Sequence, residues 1–252
     1  MTHAQKRLFL IEYLISESGL SAQIPADEES QKRLLRALFN VRMPRKASER
    51  FLQIQNEYLQ EESEQKGITD IADLLPTTDR LYLWQGDITT LKIDAIVNAA
   101  NAQMLGCFCP NHGCIDNAIH TFAGIRLRQE CNEKMQGRTA KNGEVLITSA
   151  YNLPSKYVFH TIGPVVSNKI TEQNRTDLKN CYINCLKKAD EKNIESIAFC
   201  CISTGVFGYP NEPAALLATN TVKEYLNREK SKLKIVFNVF TDKDYDIYRR
   251  LL

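Results

Sequence analysis

Cysteine and histidine crowd one short stretch of this chain. Between Gly106 and Asp116 the sequence reads GCFCPNHGCID, so Cys107, Cys109, His112 and Cys114 fall within eight residues. Thiolates and imidazole are soft donors, the kind that hold zinc. Three protein ligands with one open position would let a metal meet a substrate, whereas four would close the site and make it structural. Four ligands so close together would also strain a short loop. A thiol cluster with no metal is a third reading of the same residues. His120, six residues past Cys114 in a predicted helix, and His160, on a predicted strand, read as packing or hydrogen-bonding histidines.

The bulk of the chain says what could position such a cluster. It has 252 residues, 43% hydrophobic and 25% charged, enough for one good-sized domain plus an appendage. A net charge of +2 argues against a strong electrostatic nucleic-acid binder. All eight cysteines lie between 107 and 201. With Cys200 and Cys201 adjacent, they do not resemble a secreted disulfide framework, so the expected compartment is the reducing cytoplasm. The opening MTHAQKRLFLIEYLISESGLSAQ has Glu12 inside its apolar run and no clean cleavage site, which fits an amphipathic helix better than a signal peptide. Nothing approaches the roughly 20 apolar residues of a membrane span.

The pattern changes near residue 78. Before it, apolar residues recur at helical spacing: Leu10 and Leu14 in a first helix, Leu34, Leu38 and Val41 in a second that Pro44 ends, and Phe51, Ile54 and Tyr58 in a third from about Ser48 to Gly67. ITDIADLLP reads as a further short turn. No catalytic motif lies in these residues, and the expectation is a helical N-terminal extension over 1–78 packed on a main domain over 79–252. In the second part strands and helices alternate. RLYLWQG, AIVNAA, EVLITSAY, YVFHTIG, SIAFCCIS and the closing KIVFNVF read as strands. IDNAIHTFAGIRLRQECNEKM, TDLKNCYINCLKKADEKN and EPAALLATNTVKEYLNREK read as helices. An α/β sandwich with a mixed or mostly parallel sheet follows, and ligands in such folds bind beyond the carboxyl ends of the strands.

Four loops at those ends stand out: GDIT (86–89), NAAN (98–101), TIGP after His160, and STGVFGYP (203–210). In the last, Gly205 and Gly208 let backbone amides approach an anion just ahead of a helix N-terminus, although a plain tight turn would use the same glycines. Taken together and in this order, GDIT, VNAAN, IDNAIHTFAG and STGVFGYP resemble the macrodomain family, which binds ADP-ribose. The resemblance covers about residues 80–252 and implies a three-layer α/β/α sandwich with a mixed sheet. LGCFCPNHGCID replaces the usual glycine-rich stretch. That change resembles the zinc-containing macrodomains of bacteria and some fungi, which remove mono-ADP-ribose from proteins and carry an N-terminal extension.

The resemblance implies roles residue by residue. The ligand pattern of Cys, four residues, His, one residue, Cys falls on Cys107, His112 and Cys114, for one open-site Zn²⁺ per chain, with Cys109 skipped. Two thiolates would cancel the ion's charge, making it a weaker acid than one held by three histidines, so a positioning and polarising role is expected. Asp87, with the Ile88 backbone, would choose adenine, and Phe240 would stack on it. The amides of Ser203, Thr204, Gly205, Val206, Phe207, Gly208 and Tyr209 would hold the pyrophosphate, and Phe207 would cover the distal ribose. Asn101 would contact that ribose, and Asp116 would activate or orient water. Read on its own, Asp116 is also a good helix N-cap. Asn117 stands where the family often has glycine.

The activity so implied is hydrolysis of mono-ADP-ribose from an O-linked, acidic side chain. The implied partners are a lipoyl-carrier protein and a sirtuin-type transferase that modifies it. An ADP-ribose reader without hydrolysis, or an O-acetyl-ADP-ribose deacetylase, would use much of the same pocket. A reader has little need of an open-site metal.

Overall fold

The computed structural model describes residues 1–19 and 21–252. Three helices come first, α1 (His3–Ser18), α2 (Glu28–Val41) and α3 (Glu49–Lys66). Thr2, Asp27 and Ser48 cap them, each side-chain oxygen accepting an amide that the first helical turn leaves free. Leu10, Ile11 and Leu14 of α1 close one small core with Phe51, Ile54 and Tyr58 of α3. Of the stripe expected on α2, Leu38 is buried, Leu34 packs partly buried against the core, and Val41 does not join it. Leu35, Leu38 and Phe39 enter this core, while Val41 is 39% exposed.

After α3, β1 (Thr69–Asp70) pairs in parallel with β3 (Leu91–Lys92), with a 3-10 turn over 71–73 between. The main sheet has six strands: β2 (Leu81–Gln85), β4 (Ala95–Ala99), β5 (Val145–Ser149), β6 (Tyr157–Thr161), β7 (Ser196–Phe199) and β8 (Lys234–Val239). Their order is β2-β8-β7-β4-β6-β5, parallel throughout except for β5 against β6. Ile96, Val97, Ile197, Ala198, Ile235 and Val236 are fully buried, as strands covered on both faces require. The helices of this part are α4 (Ile115–Ala123), α5 (Ile125–Met135), α6 (Glu172–Glu191), α7 (Asn211–Glu229) and α8 (Asp242–Leu251). The expected α/β architecture with a mixed sheet, preceded by helices, is what forms. Among the described residues, no helix is long and apolar enough to cross a membrane.

Three expectations need correction. The stretch 115–135 is two helices, broken at Gly124, whose φ of 89° is open to glycine and strained for other residues. The strand in SIAFCCIS stops at Phe199, and Cys200 and Cys201 enter the following loop. The last strand does not close the fold, because α8 follows and buries Ile247 and Tyr248. At the break, Gln55 of α3 accepts the Ile125 amide at 3.0 Å, and a Cβ on Gly124 would lie 2.6 Å from that side chain's Nε2. Gly124→Ala is therefore expected to cost about 1–3 kcal/mol, read as a lower midpoint in chemical denaturation.

The topology places the site. β2, β8, β7, β4 and β6 are parallel, so their carboxyl ends share one edge. From β4 the chain leaves towards β6 and β5, and from β7 it leaves towards β8. A crevice opens where the two directions diverge.

Candidate functional site

At that crevice lies a cleft of about 630 Å³, lined by residues between 99 and 116 at and beyond the end of β4, between 200 and 207 after β7, and between 238 and 244 at and beyond the end of β8. The volume is that of a pocket for a small organic ligand. Of the residues singled out in the sequence, it brings together Asn101, Cys107, His112, Cys114, Asp116, Ser203, Thr204, Gly205, Val206, Phe207 and Phe240. Asp87, Ile88, Gly208 and Tyr209 are not in its lining.

The ligand atoms of Cys107, His112 and Cys114 all lie within 4.8 Å of one another. Cys107 Sγ is 3.6 Å from His112 Nδ1. Cys109 is exposed and outside this group; its carbonyl accepts from Asn117 Nδ2 at 3.0 Å and from the His112 amide at 3.3 Å. Two sulfurs and one imidazole facing a cleft suit a soft divalent ion with a side left open. Burial pushes the Cys114 thiol up to about 11, with the neighbouring Cys107 and Asp116 adding to the effect against the Asn117 amide. A cation among these donors would reverse that balance.

Asp116 is not the cap of α4. Cys114 is, its sulfur accepting the Asn117 amide at 3.4 Å. Asp116 is instead the second residue of the helix and is 4% exposed. Asn98 Nδ2 donates to its Oδ1 at 2.7 Å, and Asn101 Nδ2 lies 3.5 Å from its Oδ2. Burial raises this carboxyl to about 6, against the Asn98 bond and the charge of Arg128. Asn98 belongs to β4 rather than to a loop. Asn101 spends its amide locally, donating to the Gly106 carbonyl at 3.0 Å and accepting from the Gln103 amide at 3.0 Å. It shapes the turn after β4 while lining the cleft.

His120, Cys131 and His160 form a second group with the spacing of metal ligands, all buried. Asn98 Nδ2 is 3.1 Å from His160 Nδ1, so that nitrogen accepts and Nε2 keeps the proton, facing Thr148 Oγ1 at 3.0 Å. This tautomer leaves His160 no lone pair for a metal. Burial lowers His160 to about 3 and raises the Cys131 thiol, so both are neutral in the core. His120 packs against Gly106, where an added Cβ would meet its ring at 2.7 Å.

The loop after β7 offers donors. The amides of Gly208 and Tyr209 are spent on the carbonyls of Gly205 and Ser203, and that of Thr204 faces the Cys201 carbonyl at 3.4 Å. Among the described residues, that leaves the amides of Ser203, Gly205, Val206 and Phe207 with no hydrogen bond inside the protein. The Ser203 hydroxyl is also buried without a partner. The Phe207 carbonyl accepts the Val166 amide at 2.8 Å, anchoring the loop to the chain after β6.

Asp87 is engaged elsewhere. Its Oδ1 accepts from the Thr89 amide and hydroxyl, and its Oδ2 pairs with Lys66 of α3 at 3.0 Å. Burial works against ionisation there, yet Thr89 and Lys66 hold the carboxyl below its usual range. Ile88 is buried. Asn238 of β8, which carried no sequence signal, donates to the Gly86 carbonyl at 2.9 Å and lines the cleft below that turn. Phe240 follows, 76% exposed. An aromatic ring left in water at a cleft mouth contributes little to folding, so Phe240→Ala is expected to leave the unfolding transition in place. It should weaken ADP-ribose binding by about 1–3 kcal/mol if the ring stacks on the base. Calorimetric titration measures that loss.

Comparison with known proteins bears on the same residues. Residues 97–218 match the model of the Macro domain family. A protein-ADP-ribose hydrolase of Treponema medium is 52% identical over 260 residues, covering 100% of both chains. A protein-ADP-ribose hydrolase of Staphylococcus aureus (strain MRSA252) is 46% identical over 249 residues, covering 95% of this chain and 93% of the relative. Among solved structures, the Trypanosoma brucei macrodomain in complex with ADP-ribose is similar, with a TM-score of 0.66 and 31% identity, covering 85% of this chain and 94% of that one.

Proposed function

The chain belongs to the macrodomain family, and from that premise we propose that it frees ADP-ribose from an acidic protein side chain with the help of zinc held by Cys107, His112 and Cys114. It is a protein-ADP-ribose hydrolase. The zinc, the O-linked acceptor and the residue roles are the reading we add. The observation that carries this reading is the meeting, in one cleft, of the Cys₂His donor set with a buried carboxylate, Asp116.

The protein's own groups divide the work as follows. The amides of Ser203, Gly205, Val206 and Phe207 receive the diphosphate, with the N-terminus of α7 just beyond them. Phe207 closes over the distal ribose, and Phe240 packs on the base. Without metal Asp116 is ionised above about 6, and a dication beside it would favour the charged form further. Asp116 takes a proton from the water that attacks the anomeric carbon, held in place by Asn98. The oxygen of that water bonds to the anomeric carbon as the bond from this carbon to the acceptor oxygen breaks. When bound, the zinc would supply orientation and polarisation of the ribose oxygens.

The nature of the acceptor follows from what can protonate a leaving group. Asp116 and Asp244 are the carboxyl groups in the described lining, and Asp244 already accepts from Asn211 and Thr241 at 2.7 Å each. With Asp116 acting as base, a leaving group that departs as an anion is favoured, and a carboxylate does so without a proton. A lipoyl-carrier protein, modified by a sirtuin-type transferase, is the candidate substrate within this reading. The division near residue 78 into extension and macrodomain belongs to it too, supported by the separate buried clusters of α1–α3 and of the sheet.

The test is release of ADP-ribose from proteins modified at glutamate and at arginine, with zinc content measured. Release from the first alone, by zinc-loaded enzyme, is expected. Equal release from both, or release that survives complete zinc removal, would sink the proposal.

A further inference from the structure

Helix α2 lies far from the cleft in sequence, yet its side chains reach the loop that carries the candidate metal ligands. Residues 102–114 contain no helix or strand, and Met104, Gly106 and Asn111 take positive φ. Such a loop has much freedom to lose, and a metal gathering three of its side chains would otherwise have to impose that order itself. Most of its length is held from outside.

Arg36 does the largest share. Its Nη2 donates to the His112 carbonyl at 3.1 Å and to Asn117 Oδ1 at 2.8 Å, and its Nε donates to the same Asn117 oxygen at 3.0 Å. Asn117 in turn donates to the Cys109 carbonyl. One helical turn on, Asn40 is 1% exposed, and its Oδ1 accepts the Asn111 amide at 2.9 Å while its Nδ2 donates to Thr121. Positions four apart lie on one helix face, so Arg36 and Asn40 together form a ridge against the loop. Arg128 of α5 fastens the other end. It donates to the Leu105 carbonyl and to the carbonyls of Phe39, Asn40 and Arg42 at the end of α2, and it lies 4.3 Å from the centroid of the Phe108 ring. These are the orphan carbonyls that end any helix.

We propose that α2 holds the Cys107–Cys114 loop in its metal-binding form, with Arg36 and Asn40 as positioning residues; this rests on the reading of Cys107, His112 and Cys114 as zinc ligands. The backbone of His112 is fixed on one side by Arg36 and at its preceding residue by Asn40. Its imidazole is thereby presented to the two sulfurs before any ion arrives. Charge-assisted bonds from a guanidinium to a carbonyl and an amide oxygen give that grip both strength and direction. The helical extension thus takes part in the site through one helix.

The experiment uses the full-length chain loaded with zinc and follows zinc release to a chromophoric chelator. The variants are Arg36→Ala, Asn40→Ala, Arg36→Lys, and the control Lys32→Ala, whose ammonium pairs with Glu28 and Glu62 instead. Outer contacts of this kind typically change metal affinity by about 10–100-fold. Release is expected to quicken by that order in Arg36→Ala and Asn40→Ala, to be only partly restored in Arg36→Lys, and to stay unchanged in Lys32→Ala. Thermal unfolding of the zinc-free proteins should shift far less than the release rates. If the unsubstituted chain holds zinc and both alanine variants release it at the same rate, the proposal fails alone. It also fails if Lys32→Ala speeds release equally, since the effect would then be general loosening. If the unsubstituted chain holds no zinc, the ligand assignment falls and takes the proposal with it.

Discussion

Cys114→Ser is expected to lose both zinc and turnover while folding as well as the unsubstituted chain. The choice of serine matters. Cys114 has two jobs in the structure, as a member of the three-donor group and as the cap of α4, accepting the Asn117 amide. Alanine would remove both, and a lost cap alone costs about 0.5–2 kcal/mol. Serine is a better cap than cysteine but a far poorer zinc ligand, so it separates the two. Turnover on mono-ADP-ribosylated protein should drop roughly 100-fold or more, because even an ångström of substrate misplacement has effects of that order. Cys109→Ala is the counterpart. Its sulfur is exposed and outside the group, and only its carbonyl is used, so zinc content and rate should both hold. Metal analysis of the two purified variants beside a single-turnover assay decides the matter. Zinc lost with turnover intact would make the metal a loop fastener and leave Asp116 to act alone.

What the sequence made legible follows from how strongly each element is determined locally. The buried strands announce themselves as short apolar runs, since a parallel strand covered on both faces has little choice of residue. The cap at Ser48 and the stop at Gly67 bracket α3 for local reasons as well. Helix α8 was illegible, because only Ile247 and Tyr248 among its apolar residues are fully buried and its register depends on the sheet beneath. The break at Gly124 was hidden by unbroken helical periodicity on either side, and its cause, the carboxamide of Gln55, comes from 69 positions earlier. The site shows the same split. A cluster of cysteine and histidine within eight residues is visible in the sequence, but the residues that hold that loop are not. Arg36, Asn98, Arg128 and Asn238 act across long sequence separations, and nothing local distinguishes Arg36 from Arg33, the other arginine of α2. Which amides of the loop after β7 stay free was not legible either, because the ones the turn spends on itself depend on its closed conformation.

Asp116→Asn is expected to lower kcat by about 10²–10⁴-fold, the range for a general base, while ADP-ribose binds nearly as before. Its stability tells against a trivial explanation. The folded carboxyl titrates near 6, raised from an ordinary 3.8 chiefly by burial. A carboxyl raised on folding binds more protons folded than unfolded between those values, so in the zinc-free protein stability falls as pH rises from about 4 to 6. Above that window the buried charge costs about 3 kcal/mol by linkage. Asparagine carries no charge, and its carbonyl can still accept from Asn98, while its NH₂ would face the Asn101 amide less favourably. The variant should therefore unfold at or above the midpoint of the unsubstituted zinc-free chain at pH 7.5, and below it at pH 4. A slow enzyme with that crossing of stability curves has lost a working carboxylate and kept its fold. If the rate falls and the midpoint falls with it at pH 7.5, Asp116 is a structural residue and the base must be sought elsewhere. Asp116 lines the cleft at 4% exposure, so its charge is carried where burial opposes it. Such a cost to folding is what the proposed role of Asp116 as base would require.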